Sequence, residues 1–341
     1  MSSRKGWIWI LGLAFAYSGA AFPAFTNLYV FGDSLSDSGN AVIQYNAAPF
    51  VPGVTEVPNP STAVPGGPGY YQNRNTNGPN YADQLAGLLG TGALLPSLQG
   101  GTNYAYAGAR THYHLFEPYG AAHLGMSQQV AAYLGANPVA DPNALYVVFG
   151  GANNLNDILL GADAFGNAPR SIEDTVTDIA GMLVALHAAG AQHFLVPNAP
   201  NIGATPVVSA LGPAAVAGAT FLTQIFNQAL AGMLDALPFE TTLLDTYSAF
   251  ESLIANAGAL GITNTTDPCF AGDYVFPQGG PVCADPSQYL FWDAIHPTYQ
   301  VHSVLAALAA DAVAVAQVPE PSALMLIVGA LMAAWVVRRR A

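Results

Sequence analysis

Short apolar runs, each cut off by glycine, asparagine or proline, recur along the chain at residues 28–31, 102–105, 145–149, 194–197 and 242–245. Their length and abrupt ends predict buried strands. Between them the repeat changes to that of a helix. "SIEDTVTDIAGMLVALHAAG" opens on Ser171 as N-cap with Asp174 three residues on, places apolar residues at Ile172, Val176, Ile179, Leu183 and Leu186, and stops at Gly190. Further helical patterns cover about 127–134, 214–237, 248–257 and 299–316. Apolar strands alternating with helices predict an α/β three-layer domain, with a mainly parallel five-stranded sheet covered on both faces. Ligands of such sheets sit beyond the carboxyl ends of the strands.

One stretch breaks the pattern. Residues 47–80 are crowded with Pro, Gly and Asn and are too long for a simple connection. They read as an exposed excursion, a substrate-side lid or rim, with disorder as the alternative.

Composition fits a packed domain with an unusual surface. The 341 residues are 52% hydrophobic and only 9% charged, against roughly 25% charged in an average soluble domain. Five of the eight basic residues lie at the two ends, leaving Arg74, Arg110 and Arg170 against twenty acids in the body, a net charge near −17. That balance excludes nucleic acid and anionic lipid as electrostatic partners. The ends have another explanation. Arg4 and Lys5, the apolar "GWIWILGLAFAYSGAA" and small residues at 18–21 describe a secretory signal peptide, residues 1–21, cut near Ala20 or Ala21. A permanent N-terminal anchor is the alternative. At the other end, "VPEPSALMLIVGALMAAWVVRRRA" joins a Pro-Glu-Pro turn to fifteen apolar residues, 323–337, and an arginine triplet. Fifteen is short of the roughly 17 to 25 residues of a spanning helix, and the arginines would hold that end on the cytoplasmic side. The segment, residues 318–341, resembles the PEP-CTERM sorting signals of Gram-negative bacteria. That resemblance implies processing by an exosortase, a transient hold in the inner membrane, and delivery to the cell surface or matrix; a plain single-span transmembrane anchor is the alternative. Two cysteines, Cys269 and Cys283, enclose thirteen residues and in an exported chain read as a disulfide.

The candidate chemistry lies at the strand ends. "LYVFGDSLSDSGN" delivers Ser34 directly after the first strand, as a helix cap or as a nucleophile. "FWDAIHPT" places Asp293 and His296 three apart, so that one turn can aim the carboxylate at the imidazole. "VVFGGANNL" exposes Asn153, whose amide can donate to an oxyanion, and "GGTNYAYAGARTHYH" offers a backbone N–H at Gly108. Each has a bland reading as a turn, and their joint appearance after strand ends favours a hydrolase.

Together "GDSL" (32–35), "NYAYAGA" (103–109), "GANN" (151–154) and "DAIHP" (293–297) resemble the four blocks of the GDSL, or SGNH, hydrolases. "NRNTNGPNYADQLA" and "CADPSQYLFWDAIHPT" are similar to stretches of that family's longer lipase-like branch. The resemblance implies a flavodoxin-like SGNH fold over residues 22–317 and an exported carboxylic ester hydrolase, an esterase or lipase needing no cofactor. It also implies an acyl-enzyme on Ser34, a triad completed by Asp293 and His296, and an oxyanion hole from the Ser34 N–H, the Gly108 N–H and the Asn153 amide. Two positions depart from the pattern: Asn154 stands where the family has aspartate, and Ala107 where it has glycine. A structural adjustment is expected at Asn154.

The remaining candidates rank lower. Asp37 and Asn40 are expected to cap the helix after the nucleophile. His112, His114 and His123 lack metal-ligand spacing and are expected at the cleft rim. Arg110 can meet an anionic substrate group or form a structural salt bridge. Tyr104, Tyr106 and Phe116 are expected to accommodate an acyl chain. The alternatives to an esterase or lipase are a carbohydrate O-acetyl esterase acting on extracellular polysaccharide and, from another class, a non-catalytic surface or matrix binding protein.

Overall fold

The computed structural model describes residues 25–47, 60–112, 125–162, 168–275 and 279–316. The expected signal peptide, the sorting tail, His114, His123 and Phe116 lie outside the described residues. In chain order the elements are β1 (Leu28–Gly32), α1 (Asn40–Ala47), two short strands β2 (Ser61–Thr62) and β3 (Tyr70–Tyr71), α2 (Tyr81–Leu89), α3 (Met126–Ala136), β4 (Leu145–Phe149), α4 (Ala152–Leu160) and α5 (Ile172–Ala188). There follow β5 (His193–Pro197), α6 (Pro206–Ser209), α7 (Pro213–Asp235), β6 (Thr242–Leu244), α8 (Thr246–Ala255), β7 (Asn264–Pro268), β8 (Tyr289–Phe291) and α9 (Tyr299–Ala316).

The main sheet has the order β1-β4-β5-β6, and every pair is parallel. β4 is buried along its whole length, as expected of a central strand covered on both faces. Phe31, Tyr146 and Val148 pack on one side against Val130 of α3, Leu183 of α5 and Phe226 of α7. Val30, Val147 and Phe149 pack on the other against Leu85 of α2, Phe250 of α8 and Val301 of α9. The alternation of side chains along each strand therefore feeds two cores.

The fifth expected strand, 102–105, is where the architecture differs. It lies beside β1, with the Val30 N–H donating to the Thr102 carbonyl (3.1 Å) and the Tyr104 N–H to the Val30 carbonyl (2.7 Å). It nevertheless forms only isolated bridges, because the next ladder donor, the Gly32 N–H, goes to the Gln129 side chain (2.9 Å) instead of to this segment, while the carbonyls of Asn103 and Ala105 face the other way. The Asn40 amide donates to the carbonyls of Asn103 and Ala105, while the Asn103 amide turns away to the Ser36 carbonyl. The regular sheet therefore has four strands, with this segment stitched along its open edge.

Ser171 caps α5 as expected, its hydroxyl accepting from the Asp174 N–H at 3.0 Å. The pattern did not mark α2, which a capping box of Asn80 and Asp83 opens after the Pro/Gly-rich stretch. Residues 60–80 are not a lid: Tyr70, Thr76, Asn77 and Asn80 are buried. Thr76 donates to the Pro297 carbonyl (2.8 Å) and Asn77 accepts from the Tyr299 N–H (2.8 Å), so this segment backs the loop before α9. Cys269 and Cys283 form a disulfide with a Cα–Cα distance of 4.7 Å. Among the described residues no helix is long and apolar enough to cross a membrane; the tail, for which a transmembrane anchor is the alternative, lies outside them.

α9 packs on α2 around a buried histidine. His302 accepts the Tyr81 N–H on Nδ1 at 3.2 Å, and burial lowers its pKa to about 3. An unfolded chain takes up this proton near 6.5, so acidification from that pH toward 3 favours the unfolded state and stability is lost as pH falls. The urea midpoint is expected to drop more steeply between pH 7 and pH 4.5 for the natural protein than for His302→Gln. Equal slopes would contradict this account of His302.

Candidate active site

β1 ends where it must pass close to β4. A Cβ at Gly32 would sit 2.5 Å from the Phe149 carbonyl oxygen, so only glycine lets the strand end there. The Gln129 side chain accepts from the Gly32 N–H (2.9 Å), replacing the sheet acceptor lost at that edge, and donates to its carbonyl (2.8 Å), which also accepts from the Tyr106 N–H (3.2 Å). The chain then folds into a turn. The Asp33 carbonyl accepts from the Ser36 and Asp37 N–H groups, and its carboxylate accepts from the Leu35 N–H (3.0 Å). Ser34 sits at the head of this turn, half-buried, with its N–H unengaged by any described residue. Burial pushes Asp33 up to about 6, opposed by the Leu35 N–H and by the charges of His296 and Arg110.

Asp37 and Asn40 tie this turn to the segment at the sheet edge. Asp37 is buried and accepts from the N–H groups of Gly39, Asn40 and Ala41, capping α1 as expected. It also accepts from the Ala107 N–H at 2.9 Å. Gly108, at φ +84°, is thereby held from both sides. Its carbonyl accepts from Arg110 (2.9 Å), and the next carbonyl, of Ala109, accepts from the Asn153 amide (2.9 Å). Arg110 is clamped by Asp157 in a two-pronged pair at 2.9 and 2.7 Å, the structural salt bridge of the two expected roles, and it does not line the cleft at the carboxyl ends of β1 and β4. No described residue accepts the Gly108 N–H.

Asn153 enters from the first turn of α4, just after β4. Its neighbour Asn154 is buried and accepts the Thr111 N–H at 3.1 Å. An amide oxygen can accept that bond as well as a carboxylate oxygen would, so the departure from aspartate is a local adjustment.

Asp293 and His296 lie on the turn between β8 and α9. Asp293 is fully buried, and its Oδ1 accepts from the N–H groups of Ile295 (3.0 Å) and His296 (2.8 Å). Both carboxylate oxygens approach His296 Nδ1, at 2.9 and 2.7 Å. A carboxylate only accepts, so Nδ1 carries the proton and Nε2 is left as the basic nitrogen. Nε2 is buried without a hydrogen-bond partner among the described residues. The sequence did not reveal the carboxylate's further partner, Tyr70, whose hydroxyl donates to Oδ2 at 2.8 Å.

Ser34, Asn153 and His296 line one cleft of about 690 Å³, part of it open to solvent, at the carboxyl ends of β1 and β4. Its floor is apolar, made of Phe149, Phe250, Phe291, Ile295 and Leu305, with Asn156, Asn201 and Thr246 also on its walls. Gly108 lies beside the cleft, joined to it through the Asn153 link. Tyr104 and Tyr106 do not line it: Tyr104 packs on Phe31 (5.6 Å) and Tyr106 is buried. The apolar wall is built instead from core residues that strand alternation already turned inward. His112 is exposed and lies off the cleft wall.

Residues 28–309 match the family model of the GDSL-like lipase/acylhydrolases, and residues 317–340 match the PEP-CTERM protein-sorting motif, which implies export and envelope sorting. A GDSL esterase/lipase of Arabidopsis thaliana is 27% identical over 88% of this chain and 90% of its own. The phosphatidylcholine-sterol acyltransferase of Aeromonas hydrophila is 24% identical over 90% of this chain and 96% of its own. Among solved structures, an acetylxylan esterase from Geobacillus stearothermophilus aligns with 13% identity and a TM-score of 0.43, covering 83% of this chain and 91% of that one. With four sequence blocks gathered at one end of a parallel sheet and a family match over most of its length, the chain belongs to the GDSL-like lipase/acylhydrolase family and is a carboxylic ester hydrolase.

Proposed function

We propose that the protein hydrolyses esters of acyl chains longer than acetyl through a covalent acyl-enzyme on Ser34. In this reading the Ser34 oxygen attacks the ester carbonyl carbon while its proton passes to His296 Nε2, and Asp293 stabilises the imidazolium that forms. The carbonyl oxygen takes the negative charge and is met by the Ser34 N–H, the Gly108 N–H and the Asn153 amide. Collapse of this intermediate breaks the bond to the alcohol oxygen, which leaves with the proton held by His296. Water then attacks the acyl carbon, gives its proton to the same nitrogen, and the carboxylic acid departs as Ser34 recovers its own.

One observation carries the choice of substrate. The cleft that holds Ser34 and His296 is floored by Phe149, Phe250, Phe291 and Leu305, a surface suited to methylene groups. Each buried methylene contributes about 0.8 kcal/mol, roughly a fourfold gain. In a series of nitrophenyl esters, kcat/KM is expected to rise at least tenfold from acetate to hexanoate. Activity confined to acetate would instead favour a carbohydrate O-acetyl esterase. We read residues 1–21 as a leader, 22–317 as the hydrolase and 318–341 as a sorting segment processed by an exosortase-type enzyme. The sorting motif supports this reading, which would place the ester substrate outside the inner membrane.

A further inference from the structure

The Asp293 carboxylate is served from a part of the chain that no motif marks. Tyr70 lies 223 residues away in sequence, is 1% exposed, and donates its hydroxyl to Asp293 Oδ2 at 2.8 Å. Oδ1 already receives two backbone N–H groups, so Tyr70 completes the second oxygen, the nearer of the two to His296 Nδ1. Its ring is fixed by a box of aromatic residues. Phe270 and Trp292 meet it edge-on, at 5.4 Å each, and stack on one another at 6.0 Å. The box is pinned at its back: the Cys269 N–H donates to the Phe291 carbonyl (3.1 Å) and the Phe270 N–H to the Trp292 carbonyl (2.6 Å), while the disulfide closes the loop behind. Such an arrangement is more than a core tyrosine requires, since its one polar atom is aimed at a buried carboxylate.

We propose that Tyr70 is a positioning residue for the ester hydrolysis, fixing the Asp293 carboxylate and drawing negative charge away from the oxygen that faces the imidazole. The inference rests on the reading that Asp293 and His296 activate Ser34. Burial, reinforced by the charge of Asp293, drives the phenol above its ordinary range, so it stays a donor at every working pH. Without the hydroxyl, Oδ2 would hold its charge undiluted and grip the protonated imidazole more strongly. The acidic limb of the kcat/KM profile would then move to higher pH. Other groups act on the same pair: Asp33 and His302 face His296, Tyr274 faces Asp293, and Asp273 faces Tyr70. All of them are left in place by a change at Tyr70.

The test compares pH profiles of the natural protein and Tyr70→Phe on a nitrophenyl ester. The expected result is a fall in kcat of about tenfold, the low end for a hydrogen bond to a charged group. KM should stay within twofold, and the acidic limb should shift upward by about half a pH unit or more. A profile that superimposes on that of the natural protein, or a lower kcat with an unmoved limb, would overturn the proposal and leave Tyr70 a packing residue. Replacing Tyr70 with 3-fluorotyrosine keeps the shape and strengthens the donor, so the limb should move the opposite way. An unmoved limb in that variant overturns the proposal even if Tyr70→Phe fails to fold. Both arms retain Ser34, so full turnover in a separate Ser34→Ala variant would defeat the acyl-enzyme reading without touching these outcomes.

Discussion

Ser34→Ala is expected to lower ester turnover by about 10⁴-fold or more while leaving the fold intact. The size follows from what the hydroxyl does in the proposed mechanism. Without it there is no acyl-enzyme, and the remaining donors can only polarise a carbonyl toward bulk water. That the fold should survive follows from the site itself. Ser34 is half-buried on the cleft wall, and no hydrogen bond joins its side chain to another described residue. Truncation therefore strands no buried partner and opens no core cavity. The turn is held by Asp33 and by the Ser36 and Asp37 N–H groups, none of which the change touches. Initial rates on a nitrophenyl ester, read beside a thermal melt, check both halves. Full turnover in a folded variant would remove Ser34 from the mechanism.

Asp293→Asn should come next, with a fall in kcat of about 10⁴-fold. The two side chains have nearly the same shape, but an amide presents an N–H₂ where the carboxylate presents a second acceptor. The Ile295 and His296 N–H groups need an acceptor on Oδ1, so the amide oxygen is held there and its nitrogen turns toward His296 Nδ1. Two donors cannot face each other. The imidazole must move its proton to Nε2, the nitrogen that would have taken one from Ser34. Tyr70 tolerates the change, because a hydroxyl that donated to Oδ2 can accept from the amide. A small change in melting temperature with a large loss of kcat is the expected pair of results. Retention of more than a tenth of the natural kcat would show that His296 does not depend on Asp293 for its tautomer.

The sequence was most legible where chemistry and local geometry coincide. A glycine ahead of Ser34, a histidine three residues after Asp293 and an asparagine just past a buried strand are short-range patterns, and the fold brings Ser34, Asn153 and His296 to one cleft. Disulfide pairing and the capping of α5 were legible for the same reason. Contacts across the chain were not. Tyr70, Thr76 and Asn77 each reach more than 200 residues to the loop that carries Asp293 and His296 and the start of α9, and their Pro/Gly-rich surroundings suggested an exposed lid or rim. The signal that was available is the density of small polar residues in "NRNTNGPN", which can be buried only if each finds a partner. The fifth strand was overestimated because periodicity sees side chains alone. At 102–105 the decisive fact is that a side chain from elsewhere in the chain, Gln129, takes the Gly32 N–H that would have continued the ladder, while Asn40 caps the segment's outer carbonyls. The apolar lining of the cleft was missed because Phe149, Phe250 and Phe291 are at once core residues and cleft residues, a double role that no pattern of polarity distinguishes.

Intact mass and peptide mapping after exposure to an organophosphonate probe the activated hydroxyl most directly, because such reagents phosphonylate a serine only when a neighbouring base has made it nucleophilic. A single adduct on the peptide containing Ser34, absent from Ser34→Ala and formed far more slowly in Asp293→Asn, is the predicted result. An unmodified protein, as a non-catalytic binding scaffold would give, or an adduct on a different residue, would contradict the account.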